Sequence, residues 1–124
     1  MNLVLAIGVG GAFGSILRYA MSLAAHRLVA TTFPIGTLVV NVLGSFAIGV
    51  LYVWLIERLG ARPELRAFLI VGVLGGFTTF SSFSLETVTL LMQGGYARAV
   101  LNVAASVLLC LLGTVLGIAM GRQL

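Results

Sequence analysis

Apolar residues fall into four long stretches along this chain of 124 residues, and short polar segments separate the stretches. They run over residues 3–23, 36–56, 65–92 and 96–120. Each is about 20 residues or longer, which is the length that an α-helix needs to cross the hydrocarbon core of a bilayer. The pattern therefore predicts an all-α integral membrane protein in which residues 1–124 form a single domain of four transmembrane helices.

The segments between the stretches carry residues that end or begin helices. Pro34 lies in a turn over residues 30–35, and Pro63 fits the first position of a new helix after the loop that begins at Gly60. A further turn is predicted at Gln93-Gly94-Gly95. The first stretch lacks a positive amino-terminal region and contains Arg18, so it is not expected to be a cleaved signal peptide.

The composition supports the membrane assignment. Of all residues, 60% are hydrophobic and 8% are charged, whereas a soluble domain carries about 25% charged residues. So few charges cannot cover a water-exposed surface, which excludes a soluble enzyme and a nucleic-acid-binding module. The net charge of +4 comes from Arg at the ends of apolar stretches, which is typical of membrane flanks. We therefore expect a multi-pass protein of the cell (inner, or plasma) membrane with the lipid bilayer as its surroundings.

The arginines are nearly balanced between the two sides of the membrane. With four spans, both termini lie on one side, and four arginines are predicted there against two on the other: Arg58, Arg62, Arg66 and Arg122 against Arg27 and Arg98. Because this bias is weak, it is compatible with insertion in both orientations. Four spans are also too few to enclose a polar pathway, so we predict an antiparallel homodimer.

Polar side chains inside the stretches recur at helical spacing and therefore lie on single helix faces. In hydrocarbon, each of them needs a partner or a water-filled cavity. Two interpretations remain open, hydrogen bonding between helices and the lining of a polar pathway, and for Asn41 the pathway is favoured. The stripes are Thr37, Asn41 and Ser45 in the second stretch, Thr79, Ser82 and Glu86 in the third, and Asn102, Ser106, Cys110 and Thr114 in the fourth.

Two ionisable residues lie inside the stretches. Arg18 either extends to the nearby membrane surface or supplies positive potential at a water-filled vestibule, where it would favour anions. Glu86 is either the acidic residue of a proton-coupled carrier or a neutral or hydrogen-bonded carboxyl. Glycines at small-xxx-small spacing, such as Gly10 and Gly14, predict close helix packing and a narrow internal space.

An interruption of the third stretch carries the most information. Gly75-Gly76 predicts a break of the helix, and a run of Ser and Thr follows it. Irregular backbone at membrane depth must be buried or line a cavity, and its released carbonyls can bind a hard cation such as Na+. Phe80 and Phe83 follow on one helical face. Such a pair is normally core, but a ring edge carries partial positive charge and can contact an anion.

Three segments resemble motifs of the Fluc family of fluoride channels, also called CrcB proteins. Residues 75–86, GGFTTFSSFSLE, resemble the family signature, which is a Gly pair, a hydrophobic residue and then (S/T)TFS(S/T)FSxE. Residues 36–45, GTLVVNVLGS, resemble its GTLxVN motif, and residues 10–19, GGAFGSILRY, resemble its GGxxGxxxR pattern. The resemblance covers essentially the whole chain, and the segment with the two Phe residues is highly specific.

This resemblance implies a fluoride-specific channel that passively exports fluoride and assembles as an antiparallel, dual-topology homodimer. It implies that Phe80 and Phe83 form a Phe box and that Asn41 donates a hydrogen bond to fluoride. It also implies a structural Na+ that is not transported, held on the dimer axis by the backbone carbonyls of Gly75 and Thr78.

Further residues are expected along the fluoride pathway on the same grounds. Arg18 matches the first-helix Arg near the vestibule. Ser82 stands where Thr is commoner in the family, and the fourth helix matches the family least. The remaining pathway residues are Thr37, the polar track Ser81, Ser82 and Glu86, and Asn102 and Ser106 on the fourth helix.

Other functional classes fit the sequence less well. A small four-helix multidrug or cation exporter needs a central acidic residue, for which only Glu86 is available, and Trp54 lies too near a helix end to form an aromatic cage beside it. A non-transporting membrane subunit would explain the packing glycines but not the interruption followed by hydroxyls. An enzyme is not expected, because no nucleophile–base pair or metal-ligand set is visible.

Overall fold

This computed structural model describes residues 2–124 of the chain. Within that range there are five helices. They are α1 (Leu3–Leu28), α2 (Ile35–Arg58), α3 (residues 63–77), α4 (Phe80–Met92) and α5 (Tyr96–Gln123). The third span, Pro63–Met92, consists of α3 and α4, and π-helical turns occur over Val53–Arg58 and Ala67–Leu74. All four spans are long and apolar enough to cross a membrane. The prediction of an all-α chain with four spans is thereby confirmed.

The first helix extends beyond its predicted end. The sequence predicts an end at Leu23, whereas α1 continues to Leu28 and includes His26 and Arg27. Basic side chains are favourable in a last turn, because they face the partial negative charge of the carbonyl end of the helix. Charged residues therefore mark where α1 leaves the hydrocarbon and not where the helix ends.

Two predicted helix boundaries are confirmed. Pro63 occupies the first turn of α3, where its missing N–H removes no helical hydrogen bond. The turn at Gln93-Gly94-Gly95 separates α4 from α5, and Gly94 adopts a φ of +76° there. Glycine reaches that conformation without a steric penalty.

The break in the third span lies at Thr78 and Thr79 and not at Gly75-Gly76, so the predicted position is wrong. Both glycines are helical, whereas Thr78 (φ −85°, ψ 156°) and Thr79 (φ −151°, ψ 117°) are extended. A glycine weakens a helix by only about 1 kcal/mol, so packing can retain it there. Packing requires glycine at position 76, because a Cβ would lie 2.5 Å from the carbonyl oxygen of Gly11.

Glycines allow the helices to pack at backbone distance. A Cβ on Gly10 or Gly14 would collide with the backbone of α3, and a Cβ on Gly117 would collide with the carbonyl of Phe46 in α2. These contacts bring α1 against α3 and α5 against α2. The predicted role of the small-xxx-small glycines in close helix packing is confirmed.

Most of the large apolar side chains are exposed on the outside of this bundle. Among them are Phe80, at 78% exposure, and Leu108, at 67%. The buried core is small and includes Ala6, Val40 and Val53. In water such a surface would be strongly unfavourable, so it must contact lipid or another protein chain.

Candidate functional site

The side chain of Asn41 pairs with the backbone of Thr79 at the break. Asn41 Nδ2 donates to the Thr79 carbonyl oxygen at 3.0 Å, and the Thr79 N–H donates to Asn41 Oδ1 at 2.8 Å. In a continuous helix that N–H would donate to the carbonyl of Gly75, four residues earlier. The amide of Asn41 thus supplies hydrogen bonds at the break that water cannot supply in hydrocarbon.

Three hydroxyl groups cluster where α4 begins. Thr79 Oγ1 accepts a hydrogen bond from the Ser82 N–H at 3.2 Å, which is an N-cap interaction. The same hydroxyl donates to Ser82 Oγ at 3.1 Å and lies 3.3 Å from Ser81 Oγ. Thr79 therefore ends the break and starts the second half of the span.

A cavity of about 460 Å³, the larger cavity, lies between α2, the end of α3, the break, α4 and α5. Many of its walls are apolar, and they include Ile48, Leu74 and Val107. A few polar groups on apolar walls are typical of a site that orients a small ligand. The predicted site residues that line this cavity are Asn41, Gly75, Thr78, Phe80, Phe83 and Ser106.

Phe80 and Phe83 form the aromatic part of the larger cavity. Their ring centroids lie 5.3 Å apart and their planes are tilted by 48°. The prediction that the two rings share one helical face is confirmed. Because the positive part of an aromatic ring is its edge, such a pair can present polarised C–H groups to an anion without the desolvation penalty of a full charge.

A second cavity of about 260 Å³, the smaller cavity, lies between α1, α2 and α4. Except for Val40, the residues that line it carry a polar group. The predicted site residues that line it are Arg18, Thr37, Ser82 and Glu86. Thr79, Ser82 and Glu86, which form one stripe in the sequence, face this cavity together.

Charged groups dominate the smaller cavity. Thr37 Oγ1 donates to Glu86 Oε1 at 2.7 Å, whereas Glu86 Oε2 is buried and has no hydrogen-bond partner among residues 2–124. Arg18 is half-buried and lines the same cavity. Arg18 therefore lies where the interpretation as a vestibule residue requires it.

The stripe on the fourth span divides between two roles. Asn102 is buried and its Nδ2 donates to Thr87 Oγ1 at 2.9 Å. Thr114 Oγ1 donates to the Ser45 carbonyl oxygen at 3.0 Å. These two residues bond neighbouring helices, whereas Ser106 and Cys110 line the larger cavity.

Two predicted pathway residues line neither cavity. One is Asn102, which bonds α5 to α4. The other is Ser81, which is exposed and contacts Thr79 Oγ1. Ser81 lies between the lining residues Phe80 and Ser82 in the sequence, whereas Asn102 bonds Thr87, which lines neither cavity.

Three polar residues of the smaller cavity were not predicted. They are Ser15, Tyr19 and Ser22, all on α1. Helical spacing contained a signal for two of them, because residues 15, 18 and 22 share one helix face. The helical spacing of Ser15 and Ser22 from Arg18 would therefore have predicted the polar face of α1.

The two carbonyl groups predicted to bind Na+ both lose the donor that a continuous helix would supply. The Thr79 N–H, which would bond to the Gly75 carbonyl, donates to Asn41 instead. The Ser82 N–H, which would bond to the Thr78 carbonyl, donates to Thr79 Oγ1 instead. Carbonyl oxygens are suitable ligands for a hard cation, so these residues fit the predicted ion chemically.

The third span is broken, polar side chains surround the break, and a cavity lies on either side of Thr79. These features are typical of a class of proteins: multi-pass membrane proteins with a candidate pathway for a small polar solute. A model of the family described as "CrcB-like protein, Camphor Resistance (CrcB)" matches residues 5–118 of this chain. The chain belongs to the CrcB family. The resemblance identified from the three sequence motifs is thereby confirmed.

Curated relatives are similar to the chain over nearly its whole length. "Fluoride-specific ion channel FluC" of Coxiella burnetii (strain Dugway 5J108-111) is 48% identical over 122 residues, which cover 98% of each chain. The protein of the same name from Rhizobium meliloti (strain 1021) is 47% identical over 124 residues, or 100% of this chain and 99% of the relative. That of Shewanella amazonensis (strain ATCC BAA-1098 / SB2B) is 50% identical over 117 residues, or 94% of each.

The family settles two broader predictions. Its named relatives are ion channels, so the prediction that this chain is not an enzyme is confirmed. Four spans together with these relatives also confirm a multi-pass protein of the plasma membrane.

Proposed function

We propose that this chain is a fluoride-specific ion channel that passively exports fluoride across the cytoplasmic membrane. The observation that carries the proposal is the pair of Phe80 and Phe83 in one cavity with Asn41. It occurs in a chain 48% identical, over 98% of its length, to a protein named as a fluoride channel. Passive export lowers the internal concentration of fluoride that has entered the cell as the neutral acid.

The chemistry of the cavity residues suits this ion. Fluoride is small, strongly hydrated and a hydrogen-bond acceptor, so a pore that removes its water must supply donors in return. Asn41 uses one of its two amide N–H groups to bond Thr79, which leaves the second for an anion. Ring edges of Phe80 and Phe83 add weak positive charge. Weak contacts at several positions allow the ion to leave as well as to bind.

An antiparallel, dual-topology homodimer accounts for the exposed apolar face beside the larger cavity. Phe80 is 78% exposed, and much of the remaining wall of this cavity is apolar. A second copy packed on this face would enclose the cavity and remove Phe80 from lipid. The weak arginine bias is compatible with copies that insert in opposite orientations.

A structural Na+ that is not transported completes the proposal. Gly75 and Thr78 would hold it through their backbone carbonyls, whose helical donors are redirected to Asn41 and Thr79. When bound, the ion supplies positive charge that compensates carbonyl groups at membrane depth. Two copies of the chain would contribute the same two residues each.

The decisive experiment is fluoride efflux from liposomes that contain only the purified protein, measured with a fluoride-selective electrode. We expect efflux down the fluoride gradient that does not depend on a pH gradient, and no efflux of chloride under the same conditions. Efflux that requires a proton gradient would indicate a carrier and contradict the channel. No efflux of fluoride above that of protein-free liposomes would contradict the proposed function altogether.

The dimer is tested separately. Tags at both termini are labelled by a membrane-impermeant reagent in intact cells, and we expect part of the population to be labelled at both ends and part at neither. A single orientation of every copy would contradict the dual topology. Chemical cross-linking at low protein-to-lipid ratio, with a monomer as the only product, would contradict the dimer.

A further inference from the structure

We propose that Thr79 is itself a residue of the fluoride pathway and forms the passage between the two cavities. This inference rests on the proposed function. Within residues 2–124, Thr79 alone lines both cavities. Its exposure is 8%, so it is an internal wall between them and not part of the outer surface. An ion that moves from the smaller cavity to the larger one by the shortest route passes against this residue.

The backbone of Thr79 is held in place, which leaves its hydroxyl as the group that can respond to an ion. Asn41 binds both the N–H and the carbonyl of Thr79, at 2.8 and 3.0 Å. The extended conformation of Thr79 is therefore fixed from α2, 38 residues away in the sequence. A rigid backbone with a rotatable hydroxyl is suited to bind an ion briefly, because only one torsion has to change.

In the cluster of hydroxyl groups formed by Thr79, Ser81 and Ser82, the hydroxyl of Ser82 is available as a hydrogen-bond donor. Thr79 donates its only hydroxyl proton to Ser82 Oγ at 3.1 Å. Ser82 Oγ in turn donates to no acceptor among residues 2–124, and Ser82 lines the smaller cavity. A hydroxyl that accepts one hydrogen bond becomes a stronger donor for the next. An anion in the smaller cavity can therefore accept from Ser82, and rotation of the Thr79 hydroxyl makes a second donor available.

The larger cavity offers donors just beyond this wall. The second amide N–H of Asn41 is one, and the ring edges of Phe80 and Phe83 follow. The order of donors is then Ser82, Thr79 and Asn41, all of which are neutral. Neutral donors bind a strongly hydrogen-bonding anion without the tight retention that a full positive charge would cause. We infer that Thr79 favours small anions that accept strong hydrogen bonds.

A purely structural role for Thr79 must be separated from this one, because Thr79 also caps α4. Three variants make the distinction. Thr79→Val keeps the shape but loses the hydroxyl, and Thr79→Ser keeps the hydroxyl. Thr79→Asp keeps a good N-cap acceptor but places a negative charge on the passage. If Thr79 only caps the helix and lies away from the path of the ion, Thr79→Asp should conduct like the wild type.

Fluoride efflux is measured for the wild type and each variant in liposomes, with size-exclusion elution and thermal unfolding as folding controls. We expect Thr79→Val to reduce the initial rate about tenfold or more, which is the effect of losing a hydrogen bond to a charged group. Thr79→Ser should recover at least about half of the wild-type rate, since its hydroxyl is retained. Thr79→Asp should lose conduction while eluting like the wild type. Thr89→Val, an exposed threonine of α4 that lines neither cavity, is the matched control and should leave the rate unchanged.

The outcomes separate the two proposals. Wild-type rates in Thr79→Val or in Thr79→Asp, or equal losses in the Val and Ser variants, would overturn the role of Thr79 while leaving the channel intact. If Thr79→Asp does not fold, the Val and Ser variants decide alone. No efflux from the wild type would overturn the proposed function, and the inference with it.

Discussion

The two cavities differ in what surrounds them. The smaller cavity is lined mainly by polar residues of three helices of one chain, and Arg18 and Glu86 are among them. The larger cavity has many apolar walls, and Phe80 beside it is 78% exposed. Charged groups and hydrogen bonds within one protomer determine the properties of the smaller cavity. The properties of the larger cavity depend on its shape, on the ring edges and on the lipid or protein that covers its exposed face. The same ion would therefore meet two different kinds of selectivity.

Thr79 and Asn41 connect these regions, since the pair joins α2 to the break and Thr79 borders both cavities. Changes at this junction should affect conduction most. Changes within the larger cavity should affect fluoride selectivity, and changes in the smaller cavity should affect mainly the approach of the ion. The following predictions test this order.

The largest effect is expected from Asn41→Asp. A carboxylate cannot donate to the Thr79 carbonyl, so the 3.0 Å hydrogen bond is lost and a negative charge is placed beside the anion pathway. We expect fluoride efflux to fall by about a hundredfold or more. Asn2→Asp is the matched control, because Asn2 caps α1 at the exposed amino-terminal end and Asp caps equally well. An Asn41→Asp protein with more than a tenth of the wild-type efflux would contradict this role of Asn41.

The next effect concerns the aromatic pair. Phe80→Ile and Phe83→Ile keep apolar bulk but remove the positive ring edge. We expect each to reduce efflux about tenfold or more while the protein elutes as the same oligomer. Phe13→Ile, an exposed Phe of α1 that lines neither cavity, should conduct normally. If both ring variants conduct like the wild type, the larger cavity is not the fluoride pathway.

Glycine variants just before the break test what covers the larger cavity. A Cβ at Gly75 would lie 3.9 Å from the Ile70 carbonyl oxygen, so the protomer itself has room for a side chain there, whereas a Cβ at Gly76 would collide with Gly11. Gly75→Val should therefore leave the protomer folded and yet slow efflux several-fold, about fivefold or more, because the side chain would obstruct a cation or a second copy. Gly76→Val should lower thermal stability instead.

Replacement of Na+ by N-methylglucamine on both sides of the liposome membrane provides the ion-specific test of the same site. Efflux of the wild type should slow or stop. Full efflux in rigorously Na+-free medium, together with unaltered efflux of Gly75→Val, would contradict a Na+ at the break.

The smallest effect is expected from Glu86→Gln in the smaller cavity. Gln keeps the oxygen that accepts from Thr37 at 2.7 Å and replaces the buried Oε2 by an amide NH₂. A passive channel needs no proton exchange at this position, so efflux should fall by no more than about threefold. Complete loss of transport in this variant, in a protein whose wild type responds to a pH gradient, would favour the proton-coupled carrier.

Much of the architecture follows from local pattern. The number and approximate positions of the four spans, the turn at Gly94 and the shared face of Phe80 and Phe83 were all predicted, because hydropathy and helical spacing are properties of neighbouring residues. Packing glycines were identified for the same reason. The predicted end of α1 was wrong, since a charged residue can continue a helix that has already left the membrane.

The position of the break was decided only by the tertiary structure. Glycine has a weak helix propensity, and that local signal placed the interruption at Gly75-Gly76, but both residues are helical and Gly76 packs against Gly11 of α1. The interruption occurs at Thr78 and Thr79 instead, where Asn41, 38 residues away, supplies the hydrogen bonds that the helix gives up. Backbone groups in hydrocarbon need partners, and a partner on another helix becomes available only when the chain is packed. For that reason the sequence determined which residues are candidates for the pathway, and packing determined that Thr79 borders both cavities.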